Sequence, residues 1–328
     1  MSPAPAVTGA GLRRAPFVVP LTTRFRRVEW REGVLVQGPA GWGEWSPFPE
    51  YGPPVAARWY AAAREAATVA WPAPVRAAVP VNCIVPVVTA ERAAALVRAA
   101  GCTTAKVKVA DPGSDPSDDD ERLAAVRDAL GPAGRIRIDA NAAWDVDTAV
   151  ARIRGWERHG LEYVEQPVAT LAEMAAVRRR VDVPLAADES IRLAPDPLRL
   201  PGLAEAADLV VLKVQPLGGV WPALRVAEAH GLPAVVSSAV ETSVGIAAGL
   251  ALAAALAELP YACGLGTVPL LAADVVADPL VPVDGALRVR RPDVDPAALA
   301  AVTPDPAEAA RLLARLDTAV AARGAVTS

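Results

Sequence analysis

The sequence predicts an α/β protein: a closed β/α barrel preceded by a small α+β domain. Three observations carry this. From about residue 80, short β-rich runs alternate with Ala/Arg/Leu helical stretches, one pair every 25 residues or so. Such alternation implies a parallel sheet. There are eight of these runs, the number that closes a barrel. Before residue 80 the beat is absent, and the pattern there is that of antiparallel strands and a helix.

In chain order, LTTRFRRVEWREGVLVQGPAGWGEWSPF (21–48) reads as an antiparallel strand pair and WYAAAREAATVAW (59–71) as a helix. Residues 1–79 form the first domain. The barrel strands are expected at 81–88, 105–110, 135–140, 161–166, 184–189, 209–214, 234–238 and 261–266. Helical stretches such as ERAAALVRAAG and ERLAAVRDALG separate most of them and end in glycine, as helices commonly do. The helix after 184–189 is the weakest, because Pro195, Pro197 and Pro201 crowd it. The barrel spans 80–275. Residues 276–328 begin in Pro/Asp-rich loops and finish in a helix, DPAEAARLLARLDTAVAA, which returns to the first domain.

Composition narrows the function. A net charge of −4 over 328 residues argues against a nucleic-acid surface, which needs a basic face. The longest uncharged apolar stretch, 242–257, is shorter than a membrane span and is mostly Ala and Gly. The Arg13–Arg14 pair is followed by an apolar run broken at Pro20 and Arg24, so a secretory leader is not expected. Cys83, Cys102 and Cys263 are odd in number and widely spaced. They suit a reducing, cytoplasmic setting and have no zinc spacing. His159 and His230 stand before glycines at helix ends, where a cation is favoured. The expected partner is a small molecule, with no nucleic acid and no membrane. Oligomeric state is not legible.

Of the 33 basic residues only three are lysine: Lys106, Lys108 and Lys213. Arginine cannot give up its proton, whereas lysine can once burial or a neighbouring charge lowers its pKa. Three lysines kept in an arginine background suggest work that needs a titratable amine.

Polar residues recur at the strand ends. From Lys108 the steps to Asp139, Glu165, Asp188 and Lys213 are 31, 26, 23 and 25 residues, each about one β/α unit. Ser237 and Ser238 follow one unit later and Gly264 one after that. In such barrels chemistry sits at the C-terminal strand ends. Three carboxylates on adjacent strands repel one another unless a cation sits among them. All-oxygen ligation suits Mg²⁺, and no Cys or His is on offer for zinc. Asn141, Gln166 and Ser190 lie within two residues of an acid, where they would orient it. The competing structural reading is that each acid caps a helix or faces solvent.

Lys106 and Lys108 are two apart on a strand, so both point into the barrel. Side by side, two ammoniums lower each other's pKa, and one can then serve as a general base. Lys213 faces them from across the barrel. This arrangement suits proton abstraction next to a carboxylate. Arg137 is in phase with Asp139 and also points inward, toward either a substrate carboxylate or an inward acid. DPSDDDE (115–121) precedes a helix, where acids complement the dipole.

These residues resemble the enolase superfamily, and within it the muconate-lactonizing-enzyme-like group. The matching motifs are K-x-K (Lys106, Lys108), D-x-N (Asp139, Asn141), E-Q-P (Glu165–Pro167), D-E-S (Asp188–Ser190) and Lys213 in VLKVQPLGG. The segments GWGEWSPFPEYGPP (41–54) and SSAVETSVG (237–245) are similar to those of the o-succinylbenzoate synthase family, as is the short chain. The departure from that family's pattern is VET at 240–242.

The resemblance implies a capping domain over a (β/α)₇β TIM-like barrel, and a Mg²⁺-dependent hydro-lyase of menaquinone biosynthesis. It would convert 2-succinyl-6-hydroxy-2,4-cyclohexadiene-1-carboxylate to 2-succinylbenzoate. By the same resemblance Asp139, Glu165 and Asp188 bind Mg²⁺. Lys108 takes the α proton and then protonates the departing hydroxyl, Lys106 tunes Lys108, and Lys213 stabilises the enolate from the opposite face. Ser237 or Ser238 and Gly264 lie along the succinyl or carboxylate groups. An N-succinylamino-acid racemase or related epimerase would use the same residues. A Schiff-base aldolase with Lys213 as nucleophile, and a non-catalytic binding barrel, are the more distant alternatives.

Overall fold

The computed structural model describes residues 7–8, 11–25 and 28–326. Most of the N-terminal stretch before Gly11, and Arg26 and Arg27 within the expected strand pair, lie outside the described residues.

The first part of the chain is an antiparallel sheet in the order β1 (Val7–Thr8), β2 (Leu12–Phe25), β3 (Val28–Gly38) and β4 (Gly41–Trp45), followed by α1 (Pro53–Thr68). The sequence suggests a pair beginning at residue 21, but β2 begins at Leu12 and β4 makes a further strand. Pro16 and Pro20 obscure β2. Prolines are tolerated there because, beyond Arg13, that edge of β2 pairs with no strand among the described residues. Arg13 and Arg14 are strand residues, and Arg14 pairs with Asp317 at 2.6 Å. β4 lies so close to α1 that a Cβ at Gly43 would fall 2.1 Å from the Ala63 carbonyl oxygen. Only glycine permits that approach.

After β5 (Ala78–Pro80) the β/α beat begins. It runs β6 (Cys83–Val85), α2 (Ala90–Ala100), β7 (Thr104–Lys108), α3 (Pro116–Leu130), β8 (Arg135–Asp139), α4 (Val146–Trp156), β9 (Leu161–Glu165), α5 (Leu171–Arg178) and β10 (Leu185–Ala187). The proline-crowded stretch yields only two single turns, α6 (Glu189–Arg192) and α7 (Leu203–Ala206). Then follow β11 (Leu209–Leu212), α8 (Val214–Leu217), α9 (Val220–His230), β12 (Ala234–Val236) and α10 (Ser243–Ala255). β6 to β12 form one parallel sheet in sequence order. Its two edges are joined through the expected eighth run. Val81 bridges Cys263, and Ser237 bridges Gly264, both in parallel register. The fold is therefore a TIM-like barrel whose last strand is reduced to two bridges.

The strands alternate with period two. Ala105, Val107, Ile136, Ile138, Val210 and Leu212 pack outward in the main apolar core with the helices. Tyr163, Ala186, Leu209, Val211 and Val235 form a separate cluster inside the barrel. Their in-phase partners two residues on are Glu165, Asp188, Lys213 and Ser237, so the charged rim follows directly from strand phase.

The chain ends with β13 (Ala286–Arg288), which pairs with β5, α11 (Pro296–Val302) and α12 (Pro306–Val326). Leu312, Leu316 and Ala319 of α12 share a core with Trp45, Phe48, Ala56 and Trp59. At the helix ends, Asp115 caps α3 through Ser117 N–H. His159 is buried in a 3-10 turn, where burial lowers its pKa rather than favouring a cation. His230 ends α9, its Nε2 2.8 Å from the Pro197 carbonyl oxygen.

Candidate active site

At the C-terminal mouth of the barrel a cavity opens onto about 470 Å³ of space not filled by protein. Barrel residues on its wall include Ile84, Lys106, Lys108, Asn141, Arg192, Lys213, Ser237, Ser238, Ala239, Val240, Gly264 and Thr267. Phe25 of β2, Trp59 of α1 and, from the loop between β4 and α1, Phe48 and Tyr51 cover it. A polar floor under an aromatic roof is a common design for a small-molecule site.

The three acids have no exposed surface. Lys106 Nζ lies 2.8 Å from Glu165 and 3.5 Å from Asp139. Lys108 Nζ bonds Asp139 and, at 2.8 Å, Asn141 Oδ1. Lys213 Nζ lies 2.5 Å from Asp188, which Arg192 also reaches at 3.2 Å. Gln166 donates to Ser190 Oγ at 2.8 Å and accepts from the Asp188 and Ser190 N–H groups, tying two strand ends together. Asn141 takes a different place from Gln166: its Oδ1 accepts from Lys108, its Nδ2 donates to Glu189, and its own N–H donates to Asp139 Oδ1.

Backbone strain collects at the same rim. Ala110, Asn141, Ala142, Gln166 and Val240, none of them glycine, have positive φ. Each follows a barrel strand by a few residues. Such conformations cost of order 1–3 kcal/mol each and cluster where a site must be held in place.

Burial works against charge throughout the cluster, and the outcome depends on each group's neighbours. Burial lowers Lys108 below its ordinary value, with Lys106 adding to the effect. Lys106 moves the other way from the sequence expectation. Although burial opposes its charge, Glu165 and Asp139 outweigh it and raise its pKa. Asp139, facing Lys108 and Lys106, and Asp188, facing Lys213 and Arg192, are held well below the carboxylate range despite burial. Glu165 is pushed up to about 7, by burial and then by Asp139.

Among the described residues no group of three or more His, Cys, Asp and Glu side chains closes round a point that would hold an ion. The lysine ammoniums lie against the acids instead. The donor set nevertheless fits a hard divalent cation: three fully buried carboxylates, with Glu165 Oε1 and Asp188 Oδ1 finding no hydrogen-bond partner. Buried polar oxygens are rarely left so.

Arg137 is not on the cavity wall. It lies within the barrel, donating to Glu162 at 2.5 Å, to Asn82 at 3.1 Å and to the Ala262 carbonyl at 2.5 Å, and stacks on Tyr163. Ser237 and Gly264 meet across the closing bridge, where a Cβ at Gly264 would fall 2.5 Å from Ser237 Oγ. Ser238 Oγ bonds Thr267 Oγ1 at 2.8 Å. Sequence reasoning passed over Arg192, which touches Asp188, Glu189 and Tyr51 Oη. Its i+4 spacing from Asp188 was the available signal, hidden among thirty arginines.

Comparison with known proteins defines the class first. Residues 88–295 match the family described as Enolase C-terminal domain-like, and residues 17–67 the Enolase N-terminal domain-like family. The fold is shared with muconate lactonizing enzyme from Pseudomonas fluorescens, at a TM-score of 0.78 and 20% identity, covering 92% of this chain and all of that one. The chain is a member of the enolase superfamily.

Within it the similarity is closer still. An o-succinylbenzoate synthase of Thermobifida fusca is 67% identical over 89% of this chain and 92% of the relative. One from Mycolicibacterium smegmatis is 53% identical over 88% and 89%. The chain belongs to the o-succinylbenzoate synthase family and is an enzyme, a carbon–oxygen lyase.

Proposed function

We propose that the chain eliminates water from 2-succinyl-6-hydroxy-2,4-cyclohexadiene-1-carboxylate to give 2-succinylbenzoate, a step of menaquinone biosynthesis, in the cytoplasm and with Mg²⁺. The observation that carries the reading is one cavity lined by opposed lysines, each bonded to one of three acids buried beneath its wall. The names of the close relatives support this reaction over the N-succinylamino-acid racemase alternative.

Asp139, Glu165 and Asp188 would hold Mg²⁺. Bound there, the ion supplies positive charge to a substrate carboxylate and so eases loss of the proton next to it. Lys108 takes the ring C1 proton on Nζ. Its lowered pKa makes the free amine more accessible, and Asp139 and Asn141 fix its direction. The electron pair from the C–H bond forms the C1–C6 double bond as the C6–O bond breaks. The departing hydroxyl takes the proton back from Lys108 and leaves as water, and the ring becomes aromatic. Lys213, immediately after β11, faces the developing negative charge with a fixed cation. Lys106 lies between Glu165 and Asp139 and keeps both acids in place. Gln166, Ser190 and Asn141 orient the acids and Lys108. Ser237, Ser238 and Gly264 line the succinyl side. Arg137 supports the barrel interior and does not meet substrate.

Ultraviolet absorbance tests the reading. With Mg²⁺ present, the cyclohexadiene substrate should be consumed as the aromatic product appears. A folded, Mg²⁺-supplied protein that leaves it unchanged, yet exchanges the α hydrogen of N-succinylamino acids in deuterated solvent, would transfer the assignment to the racemase.

A further inference from the structure

The cavity wall at 238–240 is held by groups that the proposed mechanism does not use. Val240 has φ +62°, a conformation that β-branched residues rarely adopt. Arg31, from β3, donates to the Val240 carbonyl at 3.0 Å. Ala239 N–H donates to Glu241 at 2.7 Å, and Val240 N–H to Ser238 Oγ at 3.2 Å. Glu241 belongs to the VET stretch at 240–242.

Just beyond this wall begins α10. Its N-cap Thr242 already accepts from Val244 N–H. A second acid reaches the same end from β4: buried Glu44 Oε2 accepts from Thr242 Oγ1 at 2.5 Å, Thr242 N–H at 3.1 Å and Gly245 N–H at 3.1 Å. The approach is so close that a Cβ at Gly245 would lie 3.0 Å from Glu44 Oε2 and 2.5 Å from Glu241 Cβ. The other oxygen of Glu44 accepts from Ser46 Oγ at 2.6 Å. Ser46 in turn is bonded twice to Gln215, at 3.1 Å each, two residues after Lys213.

We propose that Glu44 is a positioning residue: from the N-terminal sheet it anchors the start of α10, and through it the 238–240 wall that faces the substrate. Glu44 itself does not line the cavity. A carboxylate at a helix N-terminus is favoured by the unpaired N–H groups and the dipole. Three hydrogen bonds donated to one oxygen tie Glu44 to the helix start. The wall, strained at Val240, sits between that anchor and the Ser237–Gly264 bridge, with Arg31 holding its middle. Substrate binding therefore depends on a contact between the two parts of the chain. The charged groups facing Glu44 are Glu241 and Arg31, and Asp274 faces the same helix start through Ser243 N–H. Burial and Glu241 push Glu44 up to about 7, so the anchor loses its negative charge on the acid side of neutrality.

The effect on turnover rests on the proposed dehydration; the anchoring does not. Full-length wild type, Glu44→Ala and Glu44→Gln are compared by amide hydrogen exchange and, with Mg²⁺ and the cyclohexadiene substrate, by steady-state kinetics. In Glu44→Ala, exchange should accelerate in peptides covering 237–246 and not in those covering the strands. KM should rise about tenfold with kcat within about twofold, as expected for a misplaced binding wall. Glu44→Gln keeps an acceptor oxygen and should recover most of the KM. It should also hold one KM across pH 6–8, close to the value expected of wild type at the acid end, where Glu44 is protonated. Unchanged exchange at 237–246 overturns the proposal whether or not the substrate is turned over. So does a KM equal to wild type in both variants at temperatures where they are folded. If Glu44→Ala does not fold, Glu44→Gln decides through its pH profile and its exchange. A wild type that binds Mg²⁺ but leaves the substrate untouched counts against the dehydration alone.

Discussion

Two layers of buried charge lie one above the other in this barrel, and they are built differently. In the lower layer Arg137 is enclosed by Glu162, Asn82, a main-chain carbonyl and the faces of Tyr163 and Tyr261. Its charge is permanent and, Nη2 apart, its donors are taken by fixed partners, so the layer serves shape. In the upper layer three lysines join Arg192 as the cations, the acids number three, and two carboxylate oxygens have no hydrogen-bond partner. Here a neutral amine is within reach, and the open lone pairs await a ligand. The sequence alternates the two layers along single strands: Arg137 and Asp139 on β8, Tyr163 and Glu165 on β9. The difference shows that an inward-pointing charge in a barrel is not by itself a catalytic group. Its height and the chemistry of its partners decide.

The largest effects should come from the upper layer. Lys108→Ala, Lys213→Ala and Asp188→Asn should each lower kcat by about 10³-fold or more while circular dichroism and gel filtration remain as in wild type. Comparable loss of structure would erase the distinction between layers. Arg137→Met should do the reverse, costing about 2 kcal/mol of stability by leaving Asn82 Oδ1 and the Ala262 carbonyl without their donor, with kcat of the folded fraction near wild type. A kcat loss rivalling that of Lys108→Ala would place Arg137 with the reacting groups.

The smallest effect is a pH dependence at the junction with the N-terminal sheet. Glu44 in the folded protein titrates near 7, above its unfolded value of 4.5. Between those values the folded state holds the proton and the unfolded chain does not. The stability this contributes is full below about pH 4.5 and is lost as pH rises through about 7. The gap in Tm between wild type and Glu44→Gln should therefore shift in favour of the variant as pH rises from 5 to 8. A gap that stays constant would mean that Glu44 is ionised throughout.

Much of the barrel was legible because period-two alternation and the β/α beat are local signals. Lys106 and Lys108 share a face by spacing alone, and the acids recur at one-unit steps. The last strand was legible as a β-rich run, yet it survives only as two bridges, Cys263 with Val81 and Gly264 with Ser237. The first sheet was harder, because Pro16 and Pro20 interrupt the pattern of β2 and only the tertiary edge explains their tolerance. Arg192 and the Glu44 anchor depend on contacts across long stretches of chain, 141 residues for Arg192 with Tyr51 and 198 for Glu44 with Thr242. Spacing could report only the contact of Arg192 with Asp188, four residues away, and none of the long-range ones. The direction of the Lys106 shift was likewise set by Glu165, two strands away in sequence order.

The most direct test of the upper layer is turnover after exhaustive chelation. Treated with EDTA, dialysed and assayed on the cyclohexadiene substrate, the enzyme should be inactive and should regain activity when Mg²⁺ is returned. Turnover that persists undiminished in the chelated protein would contradict a cation held by Asp139, Glu165 and Asp188.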